Sequence, residues 1–129
     1  MPRRLAAIVV LTWLGASLSM NAAPRQTDTR GSKHVETGLA AFYGGRLEGH
    51  KTACGGSYAA SELTTAHRTL PCGTKLRITN TKNAKSVVAT VNDRGPTSKN
   101  RIVDVSRAVA EQLDFVKQGT TTVEVEVVK

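Results

Sequence analysis

Two carboxylates of this chain, Asp93 and Asp104, stand in stretches that read as strands. Asn92-Asp93-Arg94-Gly95-Pro96 closes the alternating run Ser86-Val87-Val88-Ala89-Thr90-Val91, so a strand brings an acid, a guanidinium and a tight turn to one point. Eleven residues on, Ile102-Val103-Asp104-Val105-Ser106 places a second carboxylate among apolar neighbours, and upstream lies His67 within Leu63-Thr64-Thr65-Ala66-His67-Arg68-Thr69-Leu70-Pro71. Breaking a glycosidic bond requires a proton for the departing oxygen, hence a carboxyl group still protonated when substrate arrives. Burial or a neighbouring negative charge raises a carboxyl pKa, so Asp93 and Asp104 suit the task if they converge, one ionised and one not. An inward Arg94 would oppose this; it is expected to face a loop carbonyl or a substrate carboxylate. Each group also has a plainer use: Asp93 as a turn organiser, Asp104 as an acceptor for amides near a helix start, His67 as a hydrogen-bonded support beneath a loop.

Rigid elements must position these groups, and the chain supplies short strands. Thr37–Tyr43 reads as a first strand ended by Gly44-Gly45, and the glycine-rich stretch to Ser57 as a long loop. Leu76 and Ile78 alternate with Lys75, Arg77 and Thr79, which makes Thr74–Asn80 a half-exposed strand. In the next strand Val87, Ala89 and Val91 share a face. Arg101–Val105 forms another and runs into Ser106, a suitable N-cap for a short helix over Arg107–Leu113 whose inner stripe is Val109 and Leu113. Val123, Val125 and Val127 alternate with Glu124 and Glu126 in a last strand, Thr120–Val128. Several short strands, one small helix and no βαβ rhythm predict an all-β fold, a small closed barrel, because so short a chain could not shield open sheet edges.

The ends and composition narrow the setting. Arg3 and Arg4, an apolar run Leu5–Leu18 and small residues to Ala23 follow the order of a secretory signal peptide, placed at 1–23. The run is short for a membrane-spanning helix, and no cysteine follows it, so a soluble, non-lipidated, secreted or periplasmic protein is expected, without a stable membrane anchor and as a monomer. Residues 24–36 read as a flexible linker and 37–129 as one domain. Loss of Arg3 and Arg4 lowers the formal charge from +8 to +6. A basic protein suggests an anionic partner; export argues against nucleic acid and for cell-envelope polymers. Cys54 and Cys72 are the only cysteines, and an even count in an exported chain reads as a disulfide, worth about 3 kcal/mol in a loop-closure account. A Cys54/His67 nucleophile pair is the alternative. No C-x-x-C or H-E-x-x-H spacing occurs, so neither metal nor cofactor is expected.

Five blocks in register carry a family likeness: Gly38-Leu39-Ala40-Ala41-Phe42-Tyr43-Gly44, Thr52-Ala53, Leu63 to Thr74, Val91 to Pro96, and Arg101 to Ser106. Together they resemble the rare-lipoprotein-A (RlpA) family of septal-ring lytic transglycosylases, over roughly Gly38 to Val128. The resemblance implies a six-stranded double-psi β-barrel, shared with expansins and barwin, and cleavage of peptidoglycan glycan strands between N-acetylmuramic acid and N-acetylglucosamine with 1,6-anhydro ends. It places the family's catalytic aspartate on Asp93, here expected as the principal acid, its histidine on His67 and a further aspartate on Asp104. Tyr43, Thr52, Tyr58, Thr65 and Arg94 are the expected substrate contacts, although the two tyrosines also suit packing. The family usually reads T-A-N-G-E where this chain has Thr52-Ala53-Cys54-Gly55-Gly56, so Gly56 replaces a glutamate implicated in activity. That gap leaves an alternative open: a non-catalytic, expansin-like wall-binding or wall-loosening module. Against it, the chain beyond residue 23 holds only four aromatic residues, Phe42, Tyr43, Tyr58 and Phe115, a thin supply for a sugar-stacking surface.

Overall fold

The computed structural model describes residues 35–128. The signal segment and most of the expected linker lie outside the described residues. Six strands close into a barrel in the order β1-β5-β2-β4-β3-β6. They are β1 Val35–Phe42, β2 Thr64–Ala66, β3 Lys75–Asn80, β4 Ser86–Asp93, β5 Arg101–Val105 and β6 Thr120–Val128, with the helix α1 at Arg107–Gln112 between the last two. β1 runs parallel to β5 and β2 parallel to β4, while the other four pairings are antiparallel. Closure leaves no sheet edge exposed, which lets so small a sheet stand alone.

The alternating residues make the core. Leu76 and Ile78, Val103 and Val105, and Val123 and Val125 are fully buried, with Val87, Ala89 and Val91 almost so; each such side chain stabilises the fold by about 1.5–3 kcal/mol relative to exposure. Ser106 caps α1 by accepting the Val109 N–H at 3.3 Å, which turns Val109 and Leu113 into the barrel's end. Phe115 then packs edge-on against Phe42 at 5.9 Å. The buried Asn80 amide donates to Leu113 O at 2.8 Å and accepts from the Thr121 hydroxyl at 3.0 Å, so no polar cost is left in that corner.

Two elements differ from the sequence expectation. β1 starts at Val35, two residues early, because the β6 ladder continues to pair Val35 with Glu126 and Glu36 with Val125. β2 was not expected as a strand: its three residues are all buried and too few to show alternation. It is the strand wedged between β4 and β5, and so between the two aspartates.

Candidate active site

Ala66 pairs with Asp93 on one side and with Asp104 on the other, and Asp104 pairs in turn with Ala41. In-register neighbours project to the same face, and here that face is the outer one: Thr65, Val105 and Val91, one step along, are core residues. The carboxylates thus flank an alanine floor, two strand spacings or about 9–10 Å apart at Cα. A register shift at β4, between the partners of Thr65 and Ala66, is what turns Asp93 outward at the strand's end.

The two carboxylates are shifted in opposite directions. Burial pushes Asp93 up, but the Ala53 N–H, the Tyr43 hydroxyl, the Arg94 N–H and the Arg94 charge together hold it below the usual carboxylate range. Ala53 N and Arg94 N donate to Oδ1 at 2.8 and 2.9 Å, and the Tyr43 hydroxyl donates to Oδ2 at 2.7 Å. Asp104 is raised: burial is the main cause, Arg101 and Arg68 oppose it, and the Asp93 charge adds to it. Its Oδ1 has no hydrogen-bond partner within the described chain, and Arg101 Nε stands 3.5 Å away without a hydrogen bond of its own. The surroundings thus favour the charged form of Asp93 and the neutral form of Asp104. The donors that hold Asp93, the residue expected as the principal acid, in place also favour its charged form. Tyr43 is likewise pushed far up by burial, by its bond to Asp93 and by both aspartate charges, so it remains a donor.

The other expected site residues divide between frame and surface. His67 is buried, and its Nδ1 accepts the N–H groups of Thr69 and Leu70, both at 3.1 Å. The ring proton is thereby placed on Nε2, 3.3 Å from Glu36 Oε1. Arg94 faces loop carbonyls, reaching His67 O at 3.1 Å and Leu70 O at 2.5 Å. Arg68 does the same on the other side, bonding Pro96 O at 2.9 Å, Arg101 O at 2.6 Å and also Ser98 O. Thr65, an expected substrate contact, is fully buried, with its hydroxyl on Ala66 O at 3.1 Å and Asp104 O at 3.2 Å. Tyr58 is buried too, its ring 4.7 Å from that of Tyr43 and its hydroxyl accepting the Arg107 N–H. It supports Tyr43 and offers no open face for a sugar. Glu36, Arg68 and the Ala53 N–H escaped the sequence reading; Glu36 lies in the stretch taken for linker, and a backbone donor leaves no trace in residue type.

Cys54 and Cys72 form a disulfide, so neither is a nucleophile. The bond suits an oxidising setting outside the cytoplasm, and no helix among the described residues is long and apolar enough to cross a membrane. The disulfide, Thr52, Gly56, Glu62, Thr64 and Asn92 line a cleft of about 830 Å³ at the mouth shared by β2 and β4. Gly56 and Glu62 thus line one cleft, although Tyr58 separates them in sequence. The positive φ in this loop belongs to Gly55, at 94°. A Cβ at Gly56 would meet only Thr52 Oγ1, at 3.9 Å, so a side chain fits there.

The family profile described as "Lytic transglycolase" matches residues 35–125. The chain belongs to this family. Curated relatives named endolytic peptidoglycan transglycosylase RlpA are 52% identical over 95 residues in Neisseria meningitidis and 44% over 94 in Vibrio cholerae. Those alignments cover 74% and 73% of this chain but 40% and 36% of the relatives, so the chain spans well under half their length. Among solved structures, a Streptomyces papain inhibitor superposes with a TM-score of 0.61 at 21% identity, covering 74% of this chain and 96% of that one. Apo expansin from Clavibacter michiganensis gives 0.59 at 21%, covering 74% and 51%. A variant of that expansin in complex with cellohexaose gives 0.58 at 20%, with the same coverage. These three likenesses extend the fold of the lytic transglycolase family to inhibitors and expansins, and concern the fold alone.

Proposed function

We propose that this domain is a peptidoglycan lytic transglycosylase acting in the cell envelope, with Asp104 as the general acid and Asp93 as the ionised partner. The observation that carries the reading is the Asp104–Ala66–Asp93 row, in which one carboxyl is biased toward its protonated form and the other toward its charged form. Asp104 gives its proton to the glycosidic oxygen of the departing N-acetylglucosamine as the C1–O4 bond breaks. The charge of Asp93 stabilises the positive character that develops at C1 of the muramyl residue. The muramyl 6-hydroxyl closes on C1 and passes its proton to Asp93, leaving the 1,6-anhydro end; Asp93 then releases that proton to solvent, and solvent returns one to Asp104. No activated water, metal or cofactor takes part. Tyr43 holds Asp93 charged through the donated hydroxyl, and His67, Arg94 and Arg68 position the loops around it.

The cleft is lined by none of Ala66, Asp93 and Asp104, but Asn92 and Thr64, from the strands that carry the row, line it, and it is the proposed seat of the adjoining sugars. Thr64 Oγ1 and Asn92 Oδ1, both on its lining, lack partners within the described chain, and sugar hydroxyls or an acetamido N–H would satisfy them. Thr52 stands beside them. The activity for which the relatives are named, at roughly 50% identity, supports the same substrate class. Export, a periplasmic or secreted location without lipidation, and action as a monomer belong to the proposal as well.

One observation favours a second reading, a wall-binding module of the expansin kind. Gly56 leaves its own position in the cleft without the expected carboxylate, Glu62 lining the cleft from elsewhere, and an expansin of the same fold has been solved with cellohexaose. Incubating the domain with glycan strands stripped of stem peptides separates the two. Anhydro-muramyl products detected by mass spectrometry support the enzyme. Cosedimentation with peptidoglycan but no such products, at any pH from 4 to 8, favours the binder.

A further inference from the structure

The disulfide is placed where the barrel itself has little need of it. Neither cysteine lies in a strand, and the core closes through residues of the strands and α1. The bond instead joins two loops that grip the end of β4. Cys54 N–H donates to Asn92 O at 3.3 Å, and Gly73 N–H, beside Cys72, donates to Val91 O at 2.8 Å. From the first loop, Ala53 N–H reaches Asp93 Oδ1 at 2.8 Å. Toward the second, the Arg94 guanidinium reaches Leu70 O and stands 3.8 Å from Cys72 Sγ. The collar thus closes one residue before the carboxylate.

We infer that Cys54–Cys72 is a positioning device for Asp93: it keeps the Ala53 N–H on the carboxylate, and so makes the working carboxylate pair depend on the oxidised state of the protein. A dithiol reductant would open the S–S bond to two thiols, the reductant being oxidised to its own disulfide. Cys54 is partly exposed and Cys72 exposed, so the bond is within reach. The loop from Thr52 to Gly56 then loses its covalent tie and is held by hydrogen bonds: Cys54 N to Asn92 O, Thr52 N to Gly56 O at 2.8 Å, Gly55 N to Thr52 O at 3.1 Å and the Thr52 hydroxyl to Gly56 O at 3.4 Å. The charged and titratable groups facing Asp93 are Tyr43 from the end of β1, Arg94 from its own turn and Asp104 from β5. The Tyr43 hydroxyl and the Arg94 N–H stay in place on reduction. The effect is therefore graded: with one donor fewer, Asp93 titrates higher than in the oxidised protein. The consequence for turnover rests on the glycan-cleaving reading above; the consequence for Asp93 does not.

The test follows the Asp93 carboxyl carbon by NMR through a pH titration, before and after dithiothreitol and again after reoxidation. A Cys54→Ser/Cys72→Ser protein runs alongside, and turnover on denuded glycan strands is measured against pH in the same preparations. The expected result is a folded reduced protein in which Asp93 titrates at higher pH. The acid limb of the pH–rate profile should move up with it, and turnover near that limb should fall about tenfold, a modest misplacement of a reacting group. Reoxidation should restore both, and the serine variant should behave as the reduced protein and ignore reductant. A folded reduced protein with an unmoved Asp93 titration overturns the inference. So does loss of the whole barrel on reduction, which would make the bond a general staple. If even the oxidised protein releases no product, the glycan-cleaving reading fails, while the NMR arm still decides this one.

Discussion

Replacing Asp104 with Asn should stabilise the barrel while stopping its chemistry. The Asp104 side chain is only 18% exposed, and its Oδ1 is buried without a hydrogen-bond partner in the described chain. Asparagine keeps an oxygen at that position, so the change relieves only the additional cost that burial places on a charged group, about 1–2 kcal/mol beyond a neutral polar one. Against this stands Arg101 at 3.5 Å, itself about one-third exposed, an ion pair worth about 0–1 kcal/mol. Removing the charge should therefore gain on the order of 1 kcal/mol at neutral pH. The sign follows from linkage: a carboxyl raised in the folded state binds its proton more tightly there than in the unfolded chain. Its stabilising contribution is full below the unfolded value of about 3.9 and is lost as pH rises through the folded value. The gain of Asp104→Asn should thus appear at pH 7 and vanish near pH 3, where both side chains are neutral. Urea unfolding at the two pH values measures it. A variant less stable than the parent at pH 7 would mean that the Arg101 pair governs and Asp104 is held ionised. The acid role would then be lost to it.

Other positions give independent checks. Tyr43→Phe removes the donor to Asp93 Oδ2, so Asp93 should titrate higher and the acid limb of the rate profile should move up; an unchanged limb in the folded variant refutes the link. Thr65→Val keeps the buried shape but removes the hydroxyl on Asp104 O; stability measured in urea should fall by about 1 kcal/mol, with KM unchanged because Thr65 is fully buried. Gly56→Glu should fold within about 0.5 kcal/mol of the parent, its Cβ meeting only Thr52 Oγ1, and should raise turnover on denuded strands. His67→Ala leaves the N–H groups of Thr69 and Leu70 without their acceptor and should destabilise by about 1–3 kcal/mol in a thermal or urea melt.

Strands with strict alternation were legible because their pattern reports which face is buried: β3, β5 and β6 lie within a residue of where Leu76/Ile78, Val103/Val105 and Val123/Val125 put them. β2 was not, since Thr64, Thr65 and Ala66 are buried on both faces and present no pattern. The candidate site was legible as a list of acids and illegible as an electrostatic arrangement. Asp93 and Asp104 are the same residue type, and their opposite shifts come from three donors, two of them backbone N–H groups, and from unequal burial. Their common neighbour Ala66 is visible only through barrel closure. Glu36 illustrates the same limit: its place opposite His67 depends on pairing with β6, which no local signal in Val35-Glu36-Thr37 announces. The positive φ in the Cys54–Gly56 loop falls on Gly55 and not on Gly56, a distinction that adjacent glycines hide.

The central claim is that Asp104 supplies the proton that releases the sugar. Its most direct test is the rate of anhydro-muramyl product release by Asp104→Asn, followed by mass spectrometry on denuded glycan strands from pH 4 to 8, with circular dichroism to show the fold intact. The account predicts a loss of about 10²–10⁴-fold at every pH, the usual consequence of removing a general acid. A folded Asp104→Asn protein that releases product at the parent rate would contradict it.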